Sequence, residues 1–175
     1  MIKNNPFLSI LLIFLLISCS PKQEKYLIKV SGIENNETSE SSGYINLKGD
    51  TVIPIGYYIS CLTDTIKHIG YVVTEEHRFM AINQNGEQLF EVYQYDNGPD
   101  YLSDGLFRII ENNKIGYADK WGEIIIEPQF ECATPFENGE SKVAYECQLI
   151  ADGEHSLMES DNWIYIDKKG KEILK

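Results

Sequence analysis

The sequence predicts an all-β fold: a small array of antiparallel β-hairpins, one per repeat, in a single domain. Three observations point there. Four turns share one chemistry, Asn46-Leu47-Lys48-Gly49, Asn83-Gln84-Asn85-Gly86, Asp119-Lys120-Trp121-Gly122 and Asp167-Lys168-Lys169-Gly170. Apolar residues stand at matched distances on both sides of each turn. The chain also carries 11 Tyr and 7 Phe, types that favour strands. In each turn the opening Asn or Asp can accept a backbone N–H two residues on, and the closing Gly can take φ > 0 without steric cost. That is the signature of a type I turn closed by a glycine bulge, a common hairpin connection.

A length of 175 residues suits one domain with a real core. With 27 acidic against 15 basic residues the formal charge is −12, and loss of Lys3 with a cleaved leader makes the mature chain more negative still. Such a surface repels DNA, RNA and anionic lipid headgroups, which argues against nucleic acid as a partner.

At the N-terminus, Lys3 leads into the unbroken apolar run Phe7 to Ile17. As a helix this run spans about 16 Å, roughly half of a bilayer core, which suits a secretory signal and not a membrane span. It ends in Leu16-Ile17-Ser18-Cys19, which resembles the bacterial lipobox. The resemblance implies a signal peptide over 1–18, cleavage between Ser18 and Cys19, and lipid on the Cys19 sulfur and amine. Two or more acyl chains anchor stably where one is marginal. Ser20 stands where Asp would signal inner-membrane retention, so the same resemblance places the protein in the bacterial envelope at the outer membrane. An ordinary signal peptide with an incidental cysteine is the plainer alternative.

Residues 19–42 then read as lipidated cysteine, polar tether, a first strand at Tyr26 to Val30, and a polar linker from Glu34 to Ser42 that has no apolar residue. From Gly43 onward the chain repeats itself. Tyr44, Ala81, Tyr117 and Tyr165 stand five residues before the turn glycines, with Ile45, Ile82, Ala118 and Ile166 next. Val52-Ile53, Leu89-Phe90, Ile125-Ile126 and Ile173-Leu174 follow the glycines at equal distance. Such matched positions are what two paired strands facing a core require. Repeats fall at about 43–73, 79–110 and 114–145, with a partial one at 163–175. A second motif, an apolar anchor followed by a turn into the next strand, aligns Leu62, Leu102 and Phe136, with Thr65 departing from the glycines Gly105 and Gly139.

The third unit, Gly-Tyr-x-Asp-Lys-Trp-Gly-x-Ile-Ile-x-x-Pro-x-Phe followed by Phe136-Glu137-Asn138-Gly139, resembles the WG (KWG) β-repeat family of bacterial proteins. The signature residues Trp121, Phe136 and Gly139 all stand in this unit, and Pro54 echoes the family's proline in the first. Membership implies an array of hairpin units and no particular reaction or ligand. The spacing leaves open a propeller-like or a solenoid curvature. The stretch from Glu146 to Asn162 has no counterpart in the family pattern. Its Asp152-Gly153 reads as the turn of an extra hairpin, either a plain surface loop or a binding element.

Cys132 and Cys147 lie on segments that can be neighbouring strands, so a disulfide would leave Cys61 buried and free; three small buried thiols are the alternative. The spacings give no zinc pattern, and no metal or cofactor is expected. His68, His77 and His155 show no ligating or triad spacing, so no catalytic residue is assigned. Asp96-Asn97-Gly98-Pro99-Asp100 lacks the closing Glu of a calcium loop, since residue 107 is Phe. Trp121 with Tyr44, Tyr117 and Tyr165 can be an aromatic ligand platform, but their places beside turns favour packing.

The expectation is therefore a non-enzymatic, lipid-anchored envelope module that binds a protein or glycan. A toxin-immunity lipoprotein and an envelope hydrolase with scattered carboxylates are its rivals. Substituting Cys19→Ala should move the protein from the membrane to the soluble fraction on detergent-free fractionation. A variant still wholly membrane-bound would overturn the lipid assignment.

Overall fold

A computed structural model describes residues 25–34, 37–153 and 155–174. Every regular element in it is a strand. The first are β1 (Leu27–Glu34), β2 (Glu37–Asn46), β3 (Thr51–Ile53), β4 (Ser60–Cys61), β5 (Thr65–Ile66), β6 (Ile69–Val73), β7 (Phe79–Asn83) and β8 (Gln88–Val92). A short excursion, β9 (Gln94–Tyr95) and β10 (Gly98–Pro99), precedes β11 (Leu106–Glu111), β12 (Lys114–Asp119) and β13 (Ile124–Phe130). The chain ends with β14 (Cys132–Ala133), β15 (Glu140–Ala144), β16 (Gln148–Asp152), β17 (His155–Glu159), β18 (Ile164–Asp167) and β19 (Glu172–Ile173). A central seven-stranded sheet runs β13-β12-β11-β8-β7-β6-β4. One four-stranded sheet, β3-β2-β1-β5, and another, β14-β15-β18-β19, flank it in sequence, and every strand pair is antiparallel.

All four turns have the bulged geometry. The backbone N–H of Gly49, Gly86, Gly122 and Gly170 donates to the carbonyl of the Asn or Asp three residues earlier, at 3.0, 3.0, 3.0 and 2.8 Å. The side-chain Oδ1 of that Asn or Asp accepts the backbone N–H two and four residues on, as at Asp119, where Trp121 and Glu123 donate at 2.9 and 3.0 Å. The four glycines have φ of 86, 81, 88 and 78°. Each turn is thus held by its own first residue, which is why its chemistry could be read locally.

The register shows what the repeat is. Leu27, Ile69, Leu106 and Glu140 each stand directly opposite the Asn or Asp that opens a turn, namely Asn46, Asn83, Asp119 and Asp167. The repeated structure is therefore a three-stranded meander: an incoming strand, then the hairpin. It occurs as β1-β2-β3, β6-β7-β8, β11-β12-β13 and β15-β18-β19. The first meander starts at Leu27, upstream of the Gly43 boundary suggested by residue matching. Residues 37–42, expected as linker, instead extend β2, with Ser42 opposite Ser31. Strand pairing uses backbone groups that polar side chains leave free, so a segment without apolar alternation can pair yet show no readable strand pattern.

Among the described residues, apolar side chains form three buried clusters. One joins the first flanking sheet to the central one through Leu27, Tyr44, Ile53, Val72, Met80 and Ile82. A second joins the central sheet to the last through Tyr117, Ile126, Phe130, Phe136, Val143 and Ile166. The third, with Ala81, Phe90, Val92, Phe107, Ile109 and Ala118, draws on the central sheet alone. Tyr71 and Phe107 have ring centroids 6.1 Å apart, yet β6 and β11 are separated by three strand spacings, about 14 Å in a flat sheet. The central sheet is curled around this cluster.

Successive units also touch through the turn glycines. A Cβ on Gly86 would lie 2.9 Å from Val52 Cγ1 of the preceding hairpin, and one on Gly122 would lie 2.6 Å from Ile69 Cγ2 and 3.1 Å from Leu89 Cδ1. Gly170 approaches Ile126 in the same manner at 3.4 Å, whereas nothing lies within 4 Å of a Cβ on Gly49. Among the described residues no hairpin precedes the first turn. Gly49→Val should therefore carry only the left-handed backbone cost, about 1–2 kcal/mol. Gly122→Val should add an overpacking cost of about 1–3 kcal/mol. Denaturant melts of the two variants test this; equal losses would contradict the packing account.

Candidate functional site

Residue chemistry inside the array is used mostly to hold the repeats together. The third residue of three incoming strands donates its backbone N–H to a side-chain oxygen eight residues earlier. Tyr71 donates to Thr63 Oγ1 at 2.9 Å, Arg108 to Asp100 Oδ2 at 2.8 Å and Lys142 to Thr134 Oγ1 at 3.0 Å. The carbonyls of Thr63 and Thr134 in turn accept the buried hydroxyls of Tyr44 and Tyr117, at 2.7 and 2.8 Å. This latch ties each hairpin to the strand that enters the next one.

The latch corrects two alignments made on residue type. In the first unit the incoming strand starts its register at Ile69, so the match of Leu62 with Phe136 is out of step by three residues. Leu62 and Leu102 are exposed, and only Phe136 is a buried anchor, edge-on to Tyr117 at 4.7 Å. No glycine marks the first link, where Thr65–Ile66 pairs with β1 as a strand. In the other two units Asp104-Gly105 and Asn138-Gly139 have paired positive φ values, the geometry of a type I′ turn. Pro54 also shifts by one. Gly43 lies against Ile53 O and Ile55 N where Gly116 lies against Ile126 O and Pro128 N, so Ile55 corresponds to Pro128.

In the second unit the latch has become a buried ion pair, which the sequence did not announce. Asp100 accepts Arg108 Nε at 2.9 Å and Nη2 at 2.7 Å, with side-chain exposures of 0% and 5%. The third arm of the guanidinium, Nη1, donates to the carbonyl of Ala133 in the next unit at 3.1 Å. Tyr93 stacks on the guanidinium at 4.1 Å. Burial pulls the Arg108 guanidinium toward deprotonation, but the Asp100 hydrogen bonds and charge outweigh it and leave the pKa raised. A signal existed in hindsight: Asp100 stands eight residues before Arg108, as Thr63 and Thr134 do before theirs.

The tyrosines and the free cysteine are chemically quiet. Burial raises the hydroxyl pKa of Tyr44 and Tyr117, and raises that of Tyr71 to about 12 with help from the Asp100 charge. The Tyr44 and Tyr117 hydroxyls stay neutral and donate to the Thr63 and Thr134 carbonyls, so these two belong to no ligand platform. Burial likewise raises the Cys61 thiol, which keeps it from being a ready nucleophile. Trp121 is half exposed on its turn, with its ring edge-on to His68 at 4.4 Å and Lys120 Nζ 4.7 Å from its centroid. Gly139 donates its N–H to Asp104 Oδ2 at 2.6 Å, joining the second link to the third. Among the described residues no group of three or more His, Cys, Asp or Glu is placed to hold a metal ion. Ser18 and Cys19 lie outside the described residues.

Besides the short β9–β10 excursion, the stretch from Glu146 to Asn162 departs from the meander pattern toward solvent. It forms a separate two-stranded arm, β16–β17, paired from Gln148↔Glu159 to Asp152↔His155. A disulfide between Cys132 and Cys147, with Cα atoms 5.8 Å apart, pins its root to β14. Glu131 reinforces the root: it accepts the Cys147 N–H at 2.9 Å and pairs with Lys114 at 2.9 Å. These contacts, Lys114 first, hold its carboxyl below the usual carboxylate range. Ser160 Oγ closes the far side by donating to the Glu146 carbonyl at 2.7 Å. Between arm and array lies a cleft of about 590 Å³, with Trp163, Lys142 and Met158 among its lining side chains. Lys142 Nζ sits 4.4 Å from the Trp163 ring centroid.

The segment carrying the best-kept turn, latch and anchor, residues 115–144, matches the family model described as WG containing repeat. Residues 115–144 are thus similar to a WG containing repeat. Its bounds run from the second residue of β12 to the end of β15, so the matched segment is a hairpin, its link and the incoming strand of the next meander. No curated protein matches the chain.

Removing one partner of the buried pair should be costly. Asp100→Ala or Arg108→Met alone should destabilise by about 3–5 kcal/mol, and the double variant by less than the sum. A double-mutant cycle in urea measures this, and additive losses would mean the two groups do not act as a pair.

Proposed function

We propose that the protein is a non-enzymatic binding module, held at the outer membrane of the bacterial envelope by lipid on Cys19, with the β16–β17 arm as its contact surface. Support for the anchor comes from the lipobox-like Leu16-Ile17-Ser18-Cys19. Support for the contact surface comes from the arm's exposed side chains. Leu149, Ile150 and Leu157 are 66, 41 and 49% exposed, on a ribbon that the disulfide holds at its root. Within the WG repeat and its relatives along the chain, Tyr, Thr, Asp and Arg side chains are committed to joining units. The arm is committed to none of these joints, so it is free to vary with a partner.

The partner is a protein or glycan of the envelope. Affinity capture from detergent-solubilised membranes should recover it with the wild-type chain and lose it with Leu149→Ser/Leu157→Ser, a pair of exposed changes that should leave melting unaltered. Equal recovery by both proteins, or none by either, would overturn this reading.

A further inference from the structure

The arm's chemistry narrows what could dock there. Its register sets Leu149 opposite Met158 and Ile150 opposite Leu157, so each face of the ribbon carries one apolar pair, and among the described residues no further strand pairs with it. Met158 continues inward, lining the cleft and packing on the second core cluster. Met158 and Leu149 thus share the face that leads out of the cleft, and Ile150 and Leu157 share the opposite one.

Charge around that cleft is mainly of one sign. Glu131, Glu146, Glu159 and Asp161 line the cleft against a single cation, Lys142. Glu131 is already paired with Lys114, and the Lys142 ammonium is placed over Trp163. Glu146, Glu159 and Asp161 are exposed and enter no ion pair among the described residues. The cleft beside Met158 is therefore lined by three carboxylates that enter no ion pair among the described residues, on a chain whose overall charge of −12 adds long-range attraction for cations. An anionic lipid surface is repelled by the same field. Exposed apolar side chains interleaved with unpaired carboxylates are complementary to a polypeptide that alternates apolar and basic residues.

Building on the arm as contact surface, we propose that the β16–β17 arm and the cleft at its root dock a cationic, apolar-bearing polypeptide segment. Leu149 and Met158, on the face that leads out of the cleft, would take its apolar side chains, and Glu146, Glu159 and Asp161 its Lys or Arg side chains.

The probe is a synthetic peptide of alternating lysine and leucine, with a glutamate–leucine peptide of equal length as control. Both are titrated into the full chain carrying Trp121→Phe, so that Trp163 is the remaining tryptophan and reports on the cleft. The lysine peptide should change Trp163 emission with an affinity that falls as salt is raised; the glutamate peptide should not. Glu146→Gln/Glu159→Gln/Asp161→Asn should weaken binding about tenfold or more. Neutralising three carboxylates elsewhere, Glu75→Gln/Glu76→Gln/Glu123→Gln, should change it less than about twofold, since it alters only the long-range field. Equal loss from both triple variants, equal binding of both peptides, or no binding of the lysine peptide would overturn the proposal. So would a Trp163 response to phosphatidylcholine vesicles with none to the peptide, which would make the arm a lipid contact. If a captured envelope partner depends on Leu149 and Leu157 but the lysine peptide does not compete with it, the arm stands as the contact surface and only the partner's chemistry is wrong.

Discussion

Everything in this array rests on the four turns that open with Asn or Asp and close with glycine. Each is stabilised from within, by an Asx oxygen that accepts two backbone N–H groups, and each imposes one left-handed residue. Fixing the turn fixes the register, because the opening residue also faces the first residue of the incoming strand. The missing Cβ then does a second job, letting a turn settle onto the preceding hairpin at Val52, Leu89 or Ile126. Local conformation and contact between units are therefore set by the same atom's absence.

Joining units through polar groups needs a satisfied partner for each buried donor, and the chain solves this twice. With Thr63 and Thr134 a neutral hydroxyl accepts the strand N–H, and a buried tyrosine caps the carbonyl. In the second unit Ala81 stands where those tyrosines do, and Asp100 with Arg108 replaces the arrangement. The ion pair reaches further than threonine can, since Arg108 also ties the carbonyl of Ala133 in the third unit. Its net contribution to stability is modest because two charges are removed from water, but it tolerates few alternative packings. The second and third meanders share one sheet, and this pair lies at their junction with the last sheet.

The end meanders differ from the middle ones at one place, the connection between incoming strand and hairpin. In the middle it is short, through Thr74 to Arg78 or the Asn112-Asn113 turn. In the first meander it lengthens into the polar ribbon of β1 and β2, and in the fourth it holds the β16–β17 arm. Length can be added there because the connection lies on the side away from the glycine turns, where it disturbs neither their packing nor the latch. The arm is the more strongly tethered of the additions, through the Cys132–Cys147 bridge, and it exposes apolar groups that a solvated loop would avoid.

The sequence by itself determined the strand class, the four turns, the tyrosine and isoleucine positions beside them, the extra hairpin with its Asp152-Gly153 turn, and the similarity of the third unit to WG repeats. All of these are encoded within a few residues of one another, where side chain and backbone interact directly. Tertiary structure decided what depends on partners distant in the chain. It drew residues 37–42 into β2 of the first meander, because pairing there is carried by backbone groups that leave no hydrophobic pattern. It moved the first link by three residues, because no glycine marks a type I′ turn there. It also made Asp100 and Arg108 a buried pair whose outlying arm reaches Ala133. A carboxylate and a guanidinium look like surface residues in any local reading; only the fold removes water from both at once and so turns them into one interaction.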